Sequence, residues 1–215
     1  MPYQIRTATP GDAAGILEVY APYIERTTVS FELAVPTADE FAGRIAETLG
    51  RYAYLVLEEL PGGRDGCDPT APGAAALGAR IVGFAYYGAF GHRAAYQWSA
   101  ETSIYLAPEL CGRGLGTVLI DALQRLMAAQ GIVNAEACIC AENAGSIAFH
   151  ERHGYIQRAL FPSCAHKLGR WLGIVWLEKR LAEAPALPSP IRPLDADAAE
   201  RIIAAANAAL AGRSG

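Results

Sequence analysis

The sequence predicts an α/β domain, and three observations predict it. Apolar residues alternate in some stretches and recur every three to four positions in others, in the order strand, two helices, three strands, helix, strand, helix, two strands. One glycine-rich turn, Cys111-Gly-Arg-Gly-Leu-Gly116, joins a strand-like run to a helical one. The length, 215 residues, suits one well-buried core with a surplus C-terminal segment. No internal repeat is visible.

Residues 3–7 read as a short strand. Thr9-Pro-Gly-Asp12 then offers a helix cap, a proline for the first turn and an acidic third position, with Ile16, Leu17, Tyr20 and Ile24 as the apolar stripe. Residues 27–32 read as extended. Thr37-Ala-Asp-Glu40 repeats the capping pattern ahead of Phe41, Ile45 and Leu49, and Gly50 stops that helix. Residues 52–57 and 81–87 form two strands of a hairpin around residues 61–79, a stretch of glycine, proline, alanine and aspartate expected to be a mobile insertion.

Residues 98–106 read as the next strand. Beyond the glycine turn, Leu115, Val118, Leu119, Ala122, Leu123 and Leu126 mark one helix face as far as Gly131. A strand follows at 134–141, then a helix capped by Asn143 and stopped by Gly154, then strands at 155–161 and 171–177. The domain is expected to occupy residues 1–181. In 182–215, four prolines between Pro185 and Pro193 make a stiff linker, and Asp195 or Asp197 caps a last helix with a stripe of Ile202, Ile203, Ala206 and Leu210. That stripe suits docking on the core, docking on a second subunit, or a fraying helix.

Composition excludes several classes. The net charge of −4, without a basic run, argues against a nucleic-acid partner. No apolar run is long enough to span a membrane, and the N-terminus lacks a signal-peptide pattern, so a cytoplasmic enzyme is expected. Five cysteines without framework spacing suit a reducing compartment. Cys138 and Cys140 share one strand face, but no second pair completes a metal site, and they read as small buried residues. Cys67 falls in a polar loop and Cys164 near a turn.

At the glycine turn the first N–H groups of the helix have no internal partner, and glycines allow close approach, which favours an anion such as a phosphate. The spacing does not match an ATP loop, because Gly114 is followed by Leu115 and Gly116 rather than by a lysine and a hydroxyl. It also departs from the dinucleotide fingerprint, whose glycines sit near a chain start. A purely structural turn remains an alternative at this point.

The element order and Cys-Gly-Arg-Gly-Leu-Gly at the helix start resemble the GCN5-related N-acetyltransferase (GNAT) superfamily, and within it the phosphinothricin-type acetyltransferases. The pieces that match are Tyr23-Ile-Glu25 with 27–31, Arg93, 95–98, 101–105, 112–116, Asn143, His150 with Gly154-Tyr155, and 167–171. They span about residues 3 to 180. The resemblance implies the GNAT fold, a mixed, mostly antiparallel sheet flanked by helices and split at the acetyl-CoA site. It implies acetyl-CoA as cosubstrate without a metal, its diphosphate on the N–H groups of Gly112, Arg113, Gly114, Leu115, Gly116 and Thr117, and its pantetheine arm along Ile104, Tyr105 and Leu106. Asn143 resembles a cofactor contact and also a helix cap. The usual glutamine or arginine opening the turn is Cys111 here.

The implied chemistry is attack of an amine on a thioester, which needs a base for the ammonium proton and an acid for the thiolate. Glu101, a lone carboxylate mid-strand among small and apolar residues, is the candidate base; burial would raise its pKa. His150 matches the second proposed catalytic residue of the phosphinothricin group. For the acceptor, Phe31, Arg93 and Tyr96 match substrate-side segments, and a guanidinium suits a carboxylate. His92 and His166 offer polar contacts, and Lys167, Arg170 and Trp171 match the site's far wall. Glu32 and Gly91 stand where the herbicide-inactivating enzymes carry a basic residue and a lysine, which favours a less charged acceptor such as methionine sulfone or sulfoximine. The expected function is acetylation of a small amino-acid-like amine by direct attack, in a homodimer. The alternatives are another amine (a protein N-terminus, a polyamine, an antibiotic) or a non-catalytic acetyl-CoA sensor.

Overall fold

The structure, a computed structural model, describes residues 3–61 and 78–212. Most of the expected mobile insertion, and Cys67 within it, lie outside the described residues.

Seven strands form one sheet in the order β1-β2-β3-β4-β5-β7-β6. They are β1 (Tyr3–Thr7), β2 (Tyr54–Glu59), β3 (Arg80–Ala89), β4 (Ser99–Leu106), β5 (Asn134–Cys140), β6 (Ile156–Lys167) and β7 (Arg170–Arg180). Every neighbouring pair is antiparallel except β4 with β5. Two helices, α1 (Ala13–Arg26) and α2 (Ala38–Leu49), cover one face over β2 to β4, and α3 (Leu115–Gln130) covers the other. The expected sheet, mixed and mostly antiparallel with helices on its flanks, is the one observed.

Local chemistry explains the boundaries. Thr37 accepts from the Glu40 N–H at 3.2 Å while the Glu40 carboxylate takes the Thr37 N–H at 2.8 Å, so α2 begins on a reciprocal cap. At the other end of β1, Arg6 reaches both Asp12 at 2.7 Å and Glu58 at 2.6 Å, pinning the first strand to the turn before α1. Helix α3 is the centre of the larger core: Leu119, Ile120, Leu123 and Leu126 are buried in it. Each such side chain contributes about 1.5–3 kcal/mol on burial.

Three segments differ from expectation. Residues 27–32 form no strand; the loop is instead held by Ser30, whose hydroxyl pairs with Tyr20 at 2.7 Å and whose carbonyl accepts from Lys167 Nζ at 2.5 Å. Strands β6 and β7 run far longer than their apolar patterns suggest and close in a tight turn, with Leu168 at φ 51° and Gly169 at φ 76°. Residues of β6 are exposed on both faces, so alternation is absent from the sequence. Cys164, expected near a turn, lies in β6, where the register shifts between Phe161 and Ala165.

The C-terminal segment docks on its own chain. The proline stretch lies across the far end of the sheet, where the Trp98 indole donates to the Ser189 carbonyl at 2.8 Å and buried Gln130 donates to the carbonyls of Arg51 and Arg192. Helix α5 (Ala196–Gly212), capped by Asp195, packs on α3 and β1, and Asn207 pairs with both the N–H and the C=O of Ile5. One side chain thus occupies the polar groups of an edge strand. A hollow of 460 Å³ lies under this strap, at the opposite end of α3 from the glycine turn.

Candidate active site

The sheet opens at one place. Strands β4 and β5 pair only at Ser99–Asn134, Ala100–Ala135 and Glu101–Glu136, although β4 continues to Leu106 and β5 to Cys140. Past Glu101 no strand among the described residues pairs with this edge of β4, while its other edge stays paired to β3 as far as Leu106. The Thr102 hydroxyl donates to the Glu136 carbonyl at 2.9 Å and ties the fork just beyond the last pair. At the tip, the Tyr23 hydroxyl donates to the Leu106 carbonyl at 2.6 Å. Ile104 and Leu106 lean towards α3, whereas the Tyr105 ring joins Tyr20, Tyr23 and Phe84 on the opposite face.

The glycine turn meets this fork. Gly112 and Gly114 hold φ of 80° and 79°, a region in which a side chain is strained, and a Cβ on Gly112 would meet nothing within 4 Å. Leu115 and Gly116 open α3 in buried positions. A Cβ on Gly116 would press on the Phe149 ring at 3.4 Å, so α3 and α4 (Ala144–Arg152) approach closely there. The Thr117 hydroxyl donates to His153 Nε2 at 3.2 Å across the same gap. Arg113 is exposed and lies beside the Tyr3 hydroxyl, and Cys111 is exposed and free. Asn143 caps α4, accepting from the Ser146 N–H at 3.1 Å.

Glu101 stands at the mouth of the fork, half-buried, and among the described residues no cation pairs with it. Burial raises its pKa above the ordinary carboxylate value. His150 is 3% exposed; its Nδ1 donates to the Ser146 carbonyl at 2.8 Å and its ring stands edge-on to Phe149 and Tyr155. Burial lowers its pKa, so the imidazole is neutral with the lone pair on Nε2. Glu101 faces the α1 side of the sheet, and His150 packs with Tyr155 in the core on the α3 side, so the two do not touch.

Of the residues expected on the acceptor side, Tyr96 reaches the Glu101 face through Phe90 and Trp176. Arg93 is exposed on the loop 90–98, just before a turn of 3₁₀ helix, Ala94–Tyr96. The Tyr96 ring meets Phe90 at 6.0 Å and Phe90 meets Trp176 at 5.5 Å, both edge-on. A Cβ on Gly91 would sit 2.6 Å from the Tyr96 ring, so no larger residue fits there while Tyr96 holds this place. Phe31 lies in the loop that Ser30 anchors to Lys167, near the β6–β7 turn. Glu32 is spoken for by Arg44 at 2.8 Å, Arg170 pairs with Glu142, Trp171 is exposed and meets His166 edge-on, and His92 is exposed.

Sequence reasoning missed Glu136, Phe90, Trp176 and His153. Glu136 carried the signal that singled out Glu101, a lone carboxylate mid-strand, but only the register of β4 against β5 sets the two side by side. Among the described residues, no group of three or more His, Cys, Asp or Glu side chains is placed to hold a metal ion.

A profile of the acetyltransferase (GNAT) family matches residues 43–155. The chain is 30% identical over 193 residues to the phosphinothricin N-acetyltransferase of Streptomyces viridochromogenes, a match covering 90% of this chain and 95% of that protein. It is 30% identical over 190 residues to the L-methionine sulfoximine/L-methionine sulfone acetyltransferase of Pseudomonas aeruginosa, covering 87% of this chain and 100% of that one. The fold is similar, at a TM-score of 0.75 and 29% identity, to a GNAT superfamily phosphinothricin acetyltransferase from Sinorhizobium meliloti solved in complex with acetyl-CoA; 92% of this chain and 97% of that one are covered.

Proposed function

Since the chain belongs to the acetyltransferase (GNAT) family, with acetyl-CoA as its acetyl donor, we propose that it acetylates the α-amine of a small amino-acid-like acceptor by direct attack. The observation that carries this reading is Glu101, half-buried and, among the described residues, without a cation, at the mouth of the fork between β4 and β5. The donor suits the fork: the turn at Gly112 to Gly116 leads into the N-terminus of α3 with open space at Gly112 for a diphosphate, and beyond Glu101 the edge of β4 that faces β5 offers main-chain partners for an amide-bearing arm. Asn143 and Thr117 flank that slot from α4 and α3, and Arg113 supplies charge at its rim.

Bound there, acetyl-CoA supplies an acetyl group activated as a thioester. The acceptor arrives as an ammonium, and Glu101 takes the proton it must lose, a transfer that the raised pKa favours near neutrality. The nitrogen then bonds to the acetyl carbon, the carbon–sulfur bond breaks, and the thiolate takes a proton. His150, with Nδ1–H held by Ser146, presents Nε2 as a relay for protons rather than as a standing acid. Arg93 holds the acceptor's carboxylate, with Tyr96 and Phe31 as walls.

The same reading includes a homodimer in a cytoplasmic setting. Ile156, Leu160 and Phe161 of edge strand β6, with Leu168 and Trp171 at its turn, are large apolar residues left exposed, and a second copy of the chain would cover them. No helix among the described residues is long and apolar enough to cross a membrane. Coenzyme A release over a panel of amines that includes phosphinothricin, methionine sulfone and methionine sulfoximine tests the function. Turnover on an amino-acid-like amine is expected. Saturable acetyl-CoA binding with no turnover on any amine would replace the enzyme by a sensor.

A further inference from the structure

The sheet face opposite α3 carries three carboxylates in a row. Glu101 on β4 lies directly across from Glu136 on β5, and Glu136 directly across from Glu178 on β7. Residues opposed across a ladder share a face, so the three side chains stand next to one another. Of the three, only Glu178 forms an ion pair among the described residues, with Arg158 of β6 at 2.9 Å. Glu136 is 8% exposed, and among the described residues its carboxylate makes no hydrogen bond or ion pair. Burial, then the nearby Glu178, pushes this carboxyl up to about 7. Its oxygens are not among the fully buried polar atoms, so this acid keeps a way out to the surface where a cation can reach it.

The next row of the same face supplies the rest of a binding wall. Cys138 pairs with Trp176 across β5 and β7, and the loop 90–98 lays Phe90 against the Trp176 ring, with Tyr96 beyond it. Phe90 and Tyr96 are 39% and 42% exposed, so these rings stand open at the surface rather than sealed in a core. Carboxylates beside aromatic rings are the lining that a positive charge prefers. Arg158 is committed to Glu178 at the far end of the row.

We propose that this face binds a second positive charge on the acceptor: the amine to be acetylated meets Glu101, and an ammonium or guanidinium further along the same molecule rests on Glu136 beside Trp176 and Phe90. The inference rests on the acetyl-transfer reading above and narrows its acceptor to dibasic amines, such as a basic amino acid or a diamine. Adjacent strands lie about 4.8 Å apart, so charges separated by about four carbons reach both carboxylates. Arg93 then faces the carboxylate of a basic amino acid, which completes its charges.

The test uses matched acceptors with acetyl-CoA: ornithine and lysine against norvaline and norleucine, which keep the chain length and lack the second charge. The wild-type protein is expected to favour the dibasic member of each pair in kcat/KM by about tenfold or more, and in Glu136→Gln that ratio should collapse towards one. A second measurement needs no turnover: ornithine should raise the melting temperature of the wild type and not of Glu136→Gln, which itself should melt no lower than wild type because an unbalanced buried charge is gone. If the variant melts far lower, the wild-type preference and its melting shift decide. Equal service of neutral and dibasic acceptors by the wild type, or a variant that scales both members of a pair alike, would overturn the inference and leave acetyl transfer standing. Failure to acetylate any amine, with no melting shift, would overturn both.

Discussion

At the scale of single residues, the acceptor side is governed by who neutralises whom. Glu32 answers Arg44, Glu178 answers Arg158 and Glu142 answers Arg170, whereas among the described residues Glu101 and Glu136, side by side on the sheet, have no ion pair, and Arg93 is exposed on the loop 90–98. Gly91 belongs to the same region: a Cβ there would sit 2.6 Å from the Tyr96 ring, so a larger side chain fits only if that ring moves. Arg93→Ala should raise KM for a carboxylate-bearing amine by about tenfold while sparing its decarboxylated analogue, as removal of a charge-assisted contact does. Steady-state kinetics on the two acceptors check this, and equal effects would remove Arg93 from carboxylate binding. Cys111, the departure at the turn, is exposed and leaves the main-chain cradle intact.

Among elements, the junction of β1 with the turn before α1 makes a pH-dependent contribution. The Arg6 guanidinium bonded to Asp12 lowers that carboxyl to about 2. A depressed pKa adds stability above the unfolded value near 4 and loses it as pH falls towards 2. Asp12→Asn should therefore cost about 1–2 kcal/mol at pH 7 in urea unfolding, and the gap to wild type should close between about pH 4 and pH 2. The capped helices and the glycine turn were legible because their signals are local: Thr37 with Glu40, Asn143, Gly131 and the Gly112–Gly116 run each act within a few residues. The length of β6 was not, since a strand exposed on both faces has no alternation to read. Nor was the docking of α5, whose alanine-rich stripe finds its partners in β1 and α3, far away in sequence. Glu101 was legible as an oddity in its strand; Glu136 became meaningful only through the register that opposes them.

For the whole molecule, the fork between β4 and β5 and the apolar edge at β6 lie in one continuous sheet. A dimer built on that edge predicts that Phe161→Glu yields a particle of half the wild-type mass by light scattering; an unchanged mass would place the contact elsewhere. Residues 1–181 as the catalytic domain and 182–215 as its strap and buttress follow from the same arrangement as a proposal, since the strap lies at the end of α3 away from the glycine turn and α5 packs on α3 and β1. The central claim is that acetyl transfer takes place at the fork with Glu101 as the base, and the most direct measurement is kcat/KM against pH for wild type and Glu101→Gln, alongside acetyl-CoA affinity. Wild-type activity should rise with pH through a pKa above the ordinary carboxylate value, and the variant should keep its acetyl-CoA affinity, lose about 10²- to 10⁴-fold in turnover and show no such rise. A variant with unchanged turnover and an unchanged pH profile would contradict the account.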